Sequence, residues 1–327
     1  MALHNHLAAR QSFPEARGLP DWVIGNNVQT SYTNYTSVAP THQTGFYSVH
    51  IFILPYMEGT NITSLINFDQ AQIKRMTTNG VPTNNNYQAY AQAQGLFICP
   101  SDPYPRRVIS ENSYRYNVGG STPYAGAVST TQQHVNDGSS SDGFPATGNG
   151  AFAPGQALSA AAFLDGLSNT AFFAERTTGS GVNAATTLPS DSDIVTMPGR
   201  TNGLVPRDTM FNNCLAYVPA VSGFNFTATG RWLDGSDWSN GWPFAGYDAT
   251  QYNHVAPPNW SGFDCGNWSA IPDTPGEHAI ISARSKHPGI VNVLFGDGAV
   301  RAVANTIDLE VWRAMGTRDA GDIVRFD

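Results

Sequence analysis

The chain has 327 residues, 41% hydrophobic and only 13% charged, with a formal charge of -8 from 17 Lys and Arg against 25 Asp and Glu. That is enough apolar material for one large core or two small ones, and the acidic balance sets up no field that draws a polyphosphate backbone, so no nucleic-acid partner is expected. The 3 Cys, at 99, 214 and 265, are too few and too far apart for a disulfide scaffold or zinc-type pairs. No run reaches the roughly 18 apolar residues of a membrane span, and Met1 to Arg10 has neither the basic start nor the apolar stretch of a signal peptide.

Leu3 and Leu7 stand at i, i+4 and Pro14 stops the pattern, so Met1 to Gln11 reads as the last turns of a helix, marginal alone and the end of something longer. The alternation from Phe46 to Pro55 and the apolar run Ile51 to Leu54 predict a buried strand, followed by a short helix within Met57 to Asn67. Asn85 to Gln94 is weakly helical. Leu96 to Cys99 predicts a strand closed by Pro100-Ser101-Asp102, and Tyr114 to Val118 and Thr170 to Ala174 predict two more. Between Glu175 and Glu277 periodicity fails and Gly, Pro, Asn, Ser and Trp dominate, which reads as a loop-rich elaboration with short strands. Trp232, Trp238, Trp242, Trp260 and Trp268 lie inside it, as either a satellite core or a recognition surface.

Near the C-terminus, Ile290 to Phe295 and Ala299 to Ala304 flank Gly296-Asp297-Gly298. Asp-Gly at the centre of a two-residue loop favours a type I′ turn with positive φ at both positions. That turn sets Phe295 opposite Val300, Val293 opposite Ala302 and Val291 opposite Ala304, on one apolar face. A helix from Leu309 to Met315 follows, with Asp308 as N-cap, Trp312 on its apolar side and Gly316 at its stop.

Together these segments resemble a bacterial prepilin-like family, domain of unknown function 1559. Its H-x(9)-D-G signature is matched here by His287 and Asp297-Gly298. The likeness extends to Leu3-His4-Asn5, Phe13-Pro14, Leu54-Pro55-Tyr56 with Glu58, Phe97 through Cys99-Pro100-Ser101-Asp102, Asp165-Gly166-Leu167-Ser168-Asn169-Thr170 with Glu175, and Ile307 through Trp312 to Arg318. The resemblance implies a type IV pilin or type II secretion pseudopilin plan: a prepilin cleavage site, an N-terminal membrane helix and an exported head. Met1 stands where the family's helix would be ending, without the cleavage motif or the helix's hydrophobic half.

The expected fold is therefore α+β and pilin-like, with the helix end (1–13) packed on an antiparallel sheet. One globular head (14–327) carries the variable elaboration over 176–277 and the hairpin with its short helix over 287–318. The expected role is that of a non-enzymatic filament subunit, inner-membrane anchored before assembly and periplasmic or at the cell surface after it. Its partners would be itself and other pilin-like subunits, through the N-terminal helix. The alternative is a surface module that binds glycans or other ligands on the Trp232 to Trp268 aromatic faces.

Catalysis is not expected. His287 and Asp297 are separated by a strand of roughly 20 Å, which excludes a dyad and leaves Asp297 to the turn and His287 to a loop hydrogen bond. Ser101 and Ser168 follow neither a G-x-S-x-G nor an S-x-x-K pattern, and Asp165-Gly166 with Ser168-Asn169 fits turn chemistry. No metal or other cofactor is expected. A loop-bound calcium is the nearest candidate, but Asp137 to Asp142 and Asp234 to Asp237 both fail as linear templates, and Asp191 to Asp193 is the remaining Asp-rich stretch. Export would place Cys214 and Cys265 in an oxidising compartment, where they are expected to staple the loop-rich region; Cys99 is expected to stay buried and reduced beside Pro100.

Overall fold

The computed structural model describes residues 1–16, 23–24, 27–28, 42–43, 47–68, 76–93, 95–103, 109, 111–119, 149–153, 156–179, 188–196, 207–217, 226–227, 241–247, 249–268 and 275–321. Its helices are α1 (Ala2–Arg10), α2 (Val49–Ile53), α3 (Thr60–Thr63), α4 (Tyr87–Gln92), α5 (Arg207–Ala216) and α6 (Leu309–Met315). Among the described residues no helix is long and apolar enough to cross a membrane. Three two-residue strands, β1 (Val23–Ile24), β2 (Asn27–Val28) and β3 (His42–Gln43), form a small sheet, and β4 (Thr77–Thr78) pairs with β5 (Val81–Pro82).

The central sheet is built from β6 (Tyr114–Asn117), β7 (Ala171–Glu175), β10 (Gln251–Tyr252), β13 (Ile290–Phe295) and β14 (Val300–Ala304), in the order β10-β6-β7-β13-β14. Its four strands from β6 to β14 are antiparallel, and β10 adds to the edge in parallel. A second sheet, β12-β11-β8-β9, is made of β8 (Ile194–Thr196), β9 (Phe226–Thr227), β11 (Asp264–Trp268) and β12 (Pro275–Ile280). Mixed α+β architecture with an N-terminal helix is thus present. The stretch expected to be loop-rich holds a sheet of its own.

Three buried clusters hold these layers. The largest gathers Leu3 of α1, Phe13, Tyr116, Phe152, Phe163, Phe172, Val291, Val293, Phe295 and Trp312. Phe13 meets Phe163 at 5.5 Å and Phe172 at 4.8 Å edge to face, and those two rings stack on each other at 5.2 Å. Leu7 packs against this cluster from the next turn of α1, and Gln11, at φ 62, ends the helix with its N–H donating to the Leu7 carbonyl.

Two expected strands are not strands. Val49 to Ile53 is helical and passes into a 3-10 turn, Leu54–Met57, that carries Pro55 near its start. The helix is wedged between two cores, with Val49 and Ile53 in the first cluster and Ile51 and Leu54 in a second that includes Tyr90, Phe97 and Trp242. A helix buried all round shows the same unbroken apolar run as a buried strand, so periodicity cannot tell them apart. Leu96 to Cys99 is likewise a turn, because Gly95 takes φ 89 and the Ile98 N–H bonds back to its carbonyl.

The C-terminal hairpin forms in a register one residue away from the expected one. Leu294 faces Val300, Val293 faces Arg301, Asn292 faces Ala302, Val291 faces Val303 and Ile290 faces Ala304. The turn explains the shift. The Phe295 N–H donates to the Ala299 carbonyl and the Gly298 N–H to the Phe295 carbonyl, leaving three residues in the loop. Only Gly298 has positive φ, at 89, so this is a type I turn closed by a glycine bulge and not type I′. Val291, Val293, Phe295 and Val303 keep the apolar face, and Arg301 reaches it by laying its guanidinium over the Phe295 ring at 4.4 Å. Beyond it α6 matches expectation: Asp308 accepts from the Glu310 and Val311 N–H groups, and Gly316 caps the end.

A third cluster, with Val195, Met210, Cys214, Trp260, Cys265 and Ile280, lies under the second sheet. Its staple is the Cys214–Cys265 disulfide between α5 and β11. Beside it the Asp264 carboxylate, fully buried, accepts from Arg176 at 3.0 Å, Arg284 at 3.2 Å, Trp260 at 3.0 Å and Ser282. Burial alone would push Asp264 up, but the Arg284 and Arg176 guanidiniums outweigh it and hold the carboxyl below its ordinary range.

Candidate functional site

Cys99, Glu175 and His287 lie far apart in sequence, yet the fold brings their side chains to one point. Glu175 closes β7 and is buried, with its backbone locked by the Arg284 N–H donating to its carbonyl. Asn292, on the adjacent strand β13, donates to its carboxylate twice, from the backbone to Oε2 at 2.8 Å and from Nδ2 to Oε1 at 3.1 Å. These bonds fix the plane of the carboxylate, and Oε1 also receives His287 Nε2 at 3.1 Å.

Cys99 arrives on the tight turn after α4. That turn is anchored by the buried Asp102, whose carboxylate accepts from Ser113 Oγ at 2.7 Å, the Thr178 N–H at 2.8 Å and Thr178 Oγ1 at 2.9 Å. Its Sγ then stands 3.8 Å from Glu175 Oε1 and 3.9 Å from His287 Nε2, with Ser101 Oγ at 3.0 Å. His287 sits in the loop before β13, held where Ser285 Oγ accepts its N–H and donates to the Ile290 carbonyl. Its side chain is 34% exposed, which makes it the solvent-facing wall of an otherwise buried group. Tyr114 closes the inner side, its hydroxyl pushed up to about 12 by burial first, then by the Cys99 thiol and the Glu175 charge.

The arrangement differs from a nucleophilic relay. A relay needs the thiol on one ring nitrogen and the carboxylate on the other, whereas here both converge on Nε2. Convergence of one sulfur, one nitrogen and one oxygen describes a ligand set. Among the described residues these three form the His/Cys/Asp/Glu group whose ligand atoms lie within 4.8 Å of one another.

The other residues singled out from sequence take structural places. Asp297 accepts from the Ala299 N–H at 2.9 Å in the turn, at the far end of β13 from His287. Asp165 accepts from the Ala320 and Gly321 N–H groups, Gly166 turns at φ 94, and Asn169 Nδ2 donates to the Asp165 carbonyl. Trp312 is fully buried and donates to the Ala256 carbonyl, while Pro100 and Ser168 are exposed. Cys99 is free and buried. Asp191 pairs with Lys286 at 2.9 Å and Asp193 accepts from the Ser190 N–H; 137–142 and 234–237 lie outside the described residues.

Of the two alternatives for the Trp-rich stretch, Trp242 and Trp260 follow the core one, though in two separate clusters. Trp242 is fully buried against Tyr90 and Phe97, and Trp260, 7% exposed, stacks on Phe211 in a different cluster. Trp268 is on β11, and Trp232 and Trp238 lie outside the described residues. Sequence reading missed the Cys99–Glu175–His287 group because no linear spacing joins its members. The available signal was that all three belong to the motifs of one family resemblance, which is what a shared site leaves behind.

Beside this group an apolar pocket of about 570 Å³ is lined by Leu3, Ile53, Met57, Phe97, Tyr114 and Phe173, among others, and by the buried His50. Searches of curated proteins and of solved structures found no match. The model of one family matches residues 1–310, nearly the whole chain and all three members of the site, and the chain belongs to that family, described as "Protein of unknown function (DUF1559)".

Proposed function

We propose that the chain is a non-enzymatic, exported subunit of a pilin-like filament, of the type IV pilus or type II secretion pseudopilus kind, and that the globular part is its exposed head. The observation that carries this reading is the way α1 is joined to the main core, which it shares with the central sheet. Leu3 is buried in the main core, and immediately after the helix Phe13 is wholly buried. The Phe13 and Ala16 N–H groups then bond to the Leu158 and Ala153 carbonyls. A helix that fixes a head on a filament must be rigidly joined to it, and this one is. On this reading α1 is the end of the helix that pilin-like subunits bury among their neighbours. The disulfide supports an oxidising compartment.

The test is to raise an antibody against the head, shear surface structures from the native host and image them. Labelled fibres, or recovery with secretion-filament components, are the expected result. Protein that is exported yet always found apart from both would overturn the proposal.

A further inference from the structure

We propose that Cys99, Glu175 and His287 form a binding site for a thiophilic divalent cation of the zinc class, held by Sγ, Oε1 and Nε2. The spacing carries the inference. Ordinary zinc bond lengths at tetrahedral angles put ligand atoms about 3.6 Å apart for sulfur with nitrogen or oxygen and about 3.4 Å apart for nitrogen with oxygen. The observed edges are 3.9, 3.8 and 3.1 Å, so a cation seats with shifts of a few tenths of an ångström. Hydrogen bonding alone accounts poorly for the cysteine. Glu175 Oε1 already has donors in His287 and Asn292, and a thiol near 3.8 Å adds little as a weak donor.

Sulfur, imidazole and carboxylate together select zinc-like ions over calcium or magnesium, which take oxygen sets. Three protein ligands leave a fourth position for water, reached past the half-exposed His287 ring. The supporting contacts are in place: Asn292 fixes the carboxylate, and Ser101 Oγ lies 3.0 Å from Sγ. On binding, the thiol proton leaves to solvent and the imidazole proton passes from Nε2 to Nδ1, so that Nε2 offers its lone pair. The site stands independently of the filament reading.

The experiment is a cobalt(II) titration of the purified, chelator-treated protein with the Cys214–Cys265 disulfide intact, so that Cys99 is the only thiol. One equivalent should produce the near-ultraviolet thiolate-to-cobalt charge-transfer band, and zinc(II) should displace it one for one. Cys99→Ser should abolish the band. His287→Ala, on the exposed wall, should weaken zinc binding by about 100-fold or more, since even supporting contacts to a metal ligand are worth roughly 10–100-fold. Zinc should also raise the thermal midpoint of the unaltered protein. Absence of the band in the unaltered protein, or equal zinc affinity in His287→Ala, would overturn the proposal even if Cys99→Ser failed to fold.

Discussion

His254 lies nearly flat on Trp312, ring centroids 3.9 Å apart, and donates from Nδ1 to the carbonyl oxygen of the same residue at 2.7 Å. Its Nε2 accepts from the Tyr252 hydroxyl at 2.9 Å. Both ring nitrogens are therefore committed in the neutral form, and a proton added at Nε2 would turn the Tyr252 hydroxyl from donor to acceptor and leave a charge buried between β10 and α6.

Acid should unfold the protein through this ring and one other. Burial lowers His254 to about 3, against the upward pull of the Trp312 carbonyl, and burial likewise lowers His50 to about 3. In the unfolded chain each takes up a proton near pH 6.5. Between about pH 6.5 and 3 the unfolded state thus binds more protons, so stability falls as pH falls. Two such groups give a slope of up to about 2.7 kcal/mol per pH unit in that window. Urea midpoints from pH 7.5 to 5 should drop accordingly, and a flat profile would show that the rings are charged in the fold.

Asp264→Asn should be among the most damaging single changes. It keeps the shape but leaves the buried Arg176 and Arg284 guanidiniums without their counter-charge. Removing one partner of a buried ion group costs about 3–5 kcal/mol. Urea denaturation should show a loss of that size, and a loss under about 1 kcal/mol would mean that the two arginines are not relying on Asp264.

The hairpin turn distinguishes its two glycines. A Cβ on Gly296 would run into Phe172 Cε1 and meet the Leu167 carbonyl oxygen at 2.9 Å, so Gly296→Ala overpacks a filled core and should cost about 1–3 kcal/mol. A Cβ on Gly298 would meet only His4 Nε2, at an ordinary 3.8 Å, but the residue has φ 89, and Gly298→Val should be destabilising chiefly through backbone strain. Asp297→Ala loses the bond from the Ala299 N–H and a partly exposed ion pair with Arg301 at 3.8 Å, and should cost about 1 kcal/mol. Midpoints in urea unchanged in Gly298→Val would contradict the bulge.

Reduction of Cys214–Cys265 frees a loop spanning 51 positions and should lower stability by about 4 kcal/mol in the chain-entropy picture. Nonreducing peptide mapping should find this pair joined and Cys99 as a free thiol. A thermal midpoint indifferent to reductant would show that the region needs no staple.

How much of this was legible in the sequence depended on the range of the interactions involved. The end of α1, the span of α6 with its Asp308 cap, and the existence of the C-terminal hairpin rest on local chemistry and were readable. The hairpin's register was not, because the turn's Gly296 and Asp297 N–H groups bond to the Thr170 and Leu167 carbonyls, long-range partners that local Asp-Gly turn chemistry does not contain. Val49 to Leu54 was misread because burial on every side erases the periodicity that separates helix from strand. At the site, Cys99, Glu175 and His287 each stood inside a recognised motif. Their meeting depends on β7 pairing with β13, a fact of topology that no spacing rule contains.

That same pairing decides the order in which the molecule can be finished. β7 receives one neighbour from well before it and the other, β13, from well after it, while β6 waits for β10. Until the hairpin of β13 and β14 has emerged, Ala171–Glu175 presents a bare apolar edge and Glu175 has neither Asn292 nor His287. Contacts of this separation make folding slow, so the central sheet stays incomplete for as long as the C-terminal hairpin is withheld. The core therefore closes last, when β13 docks on β7.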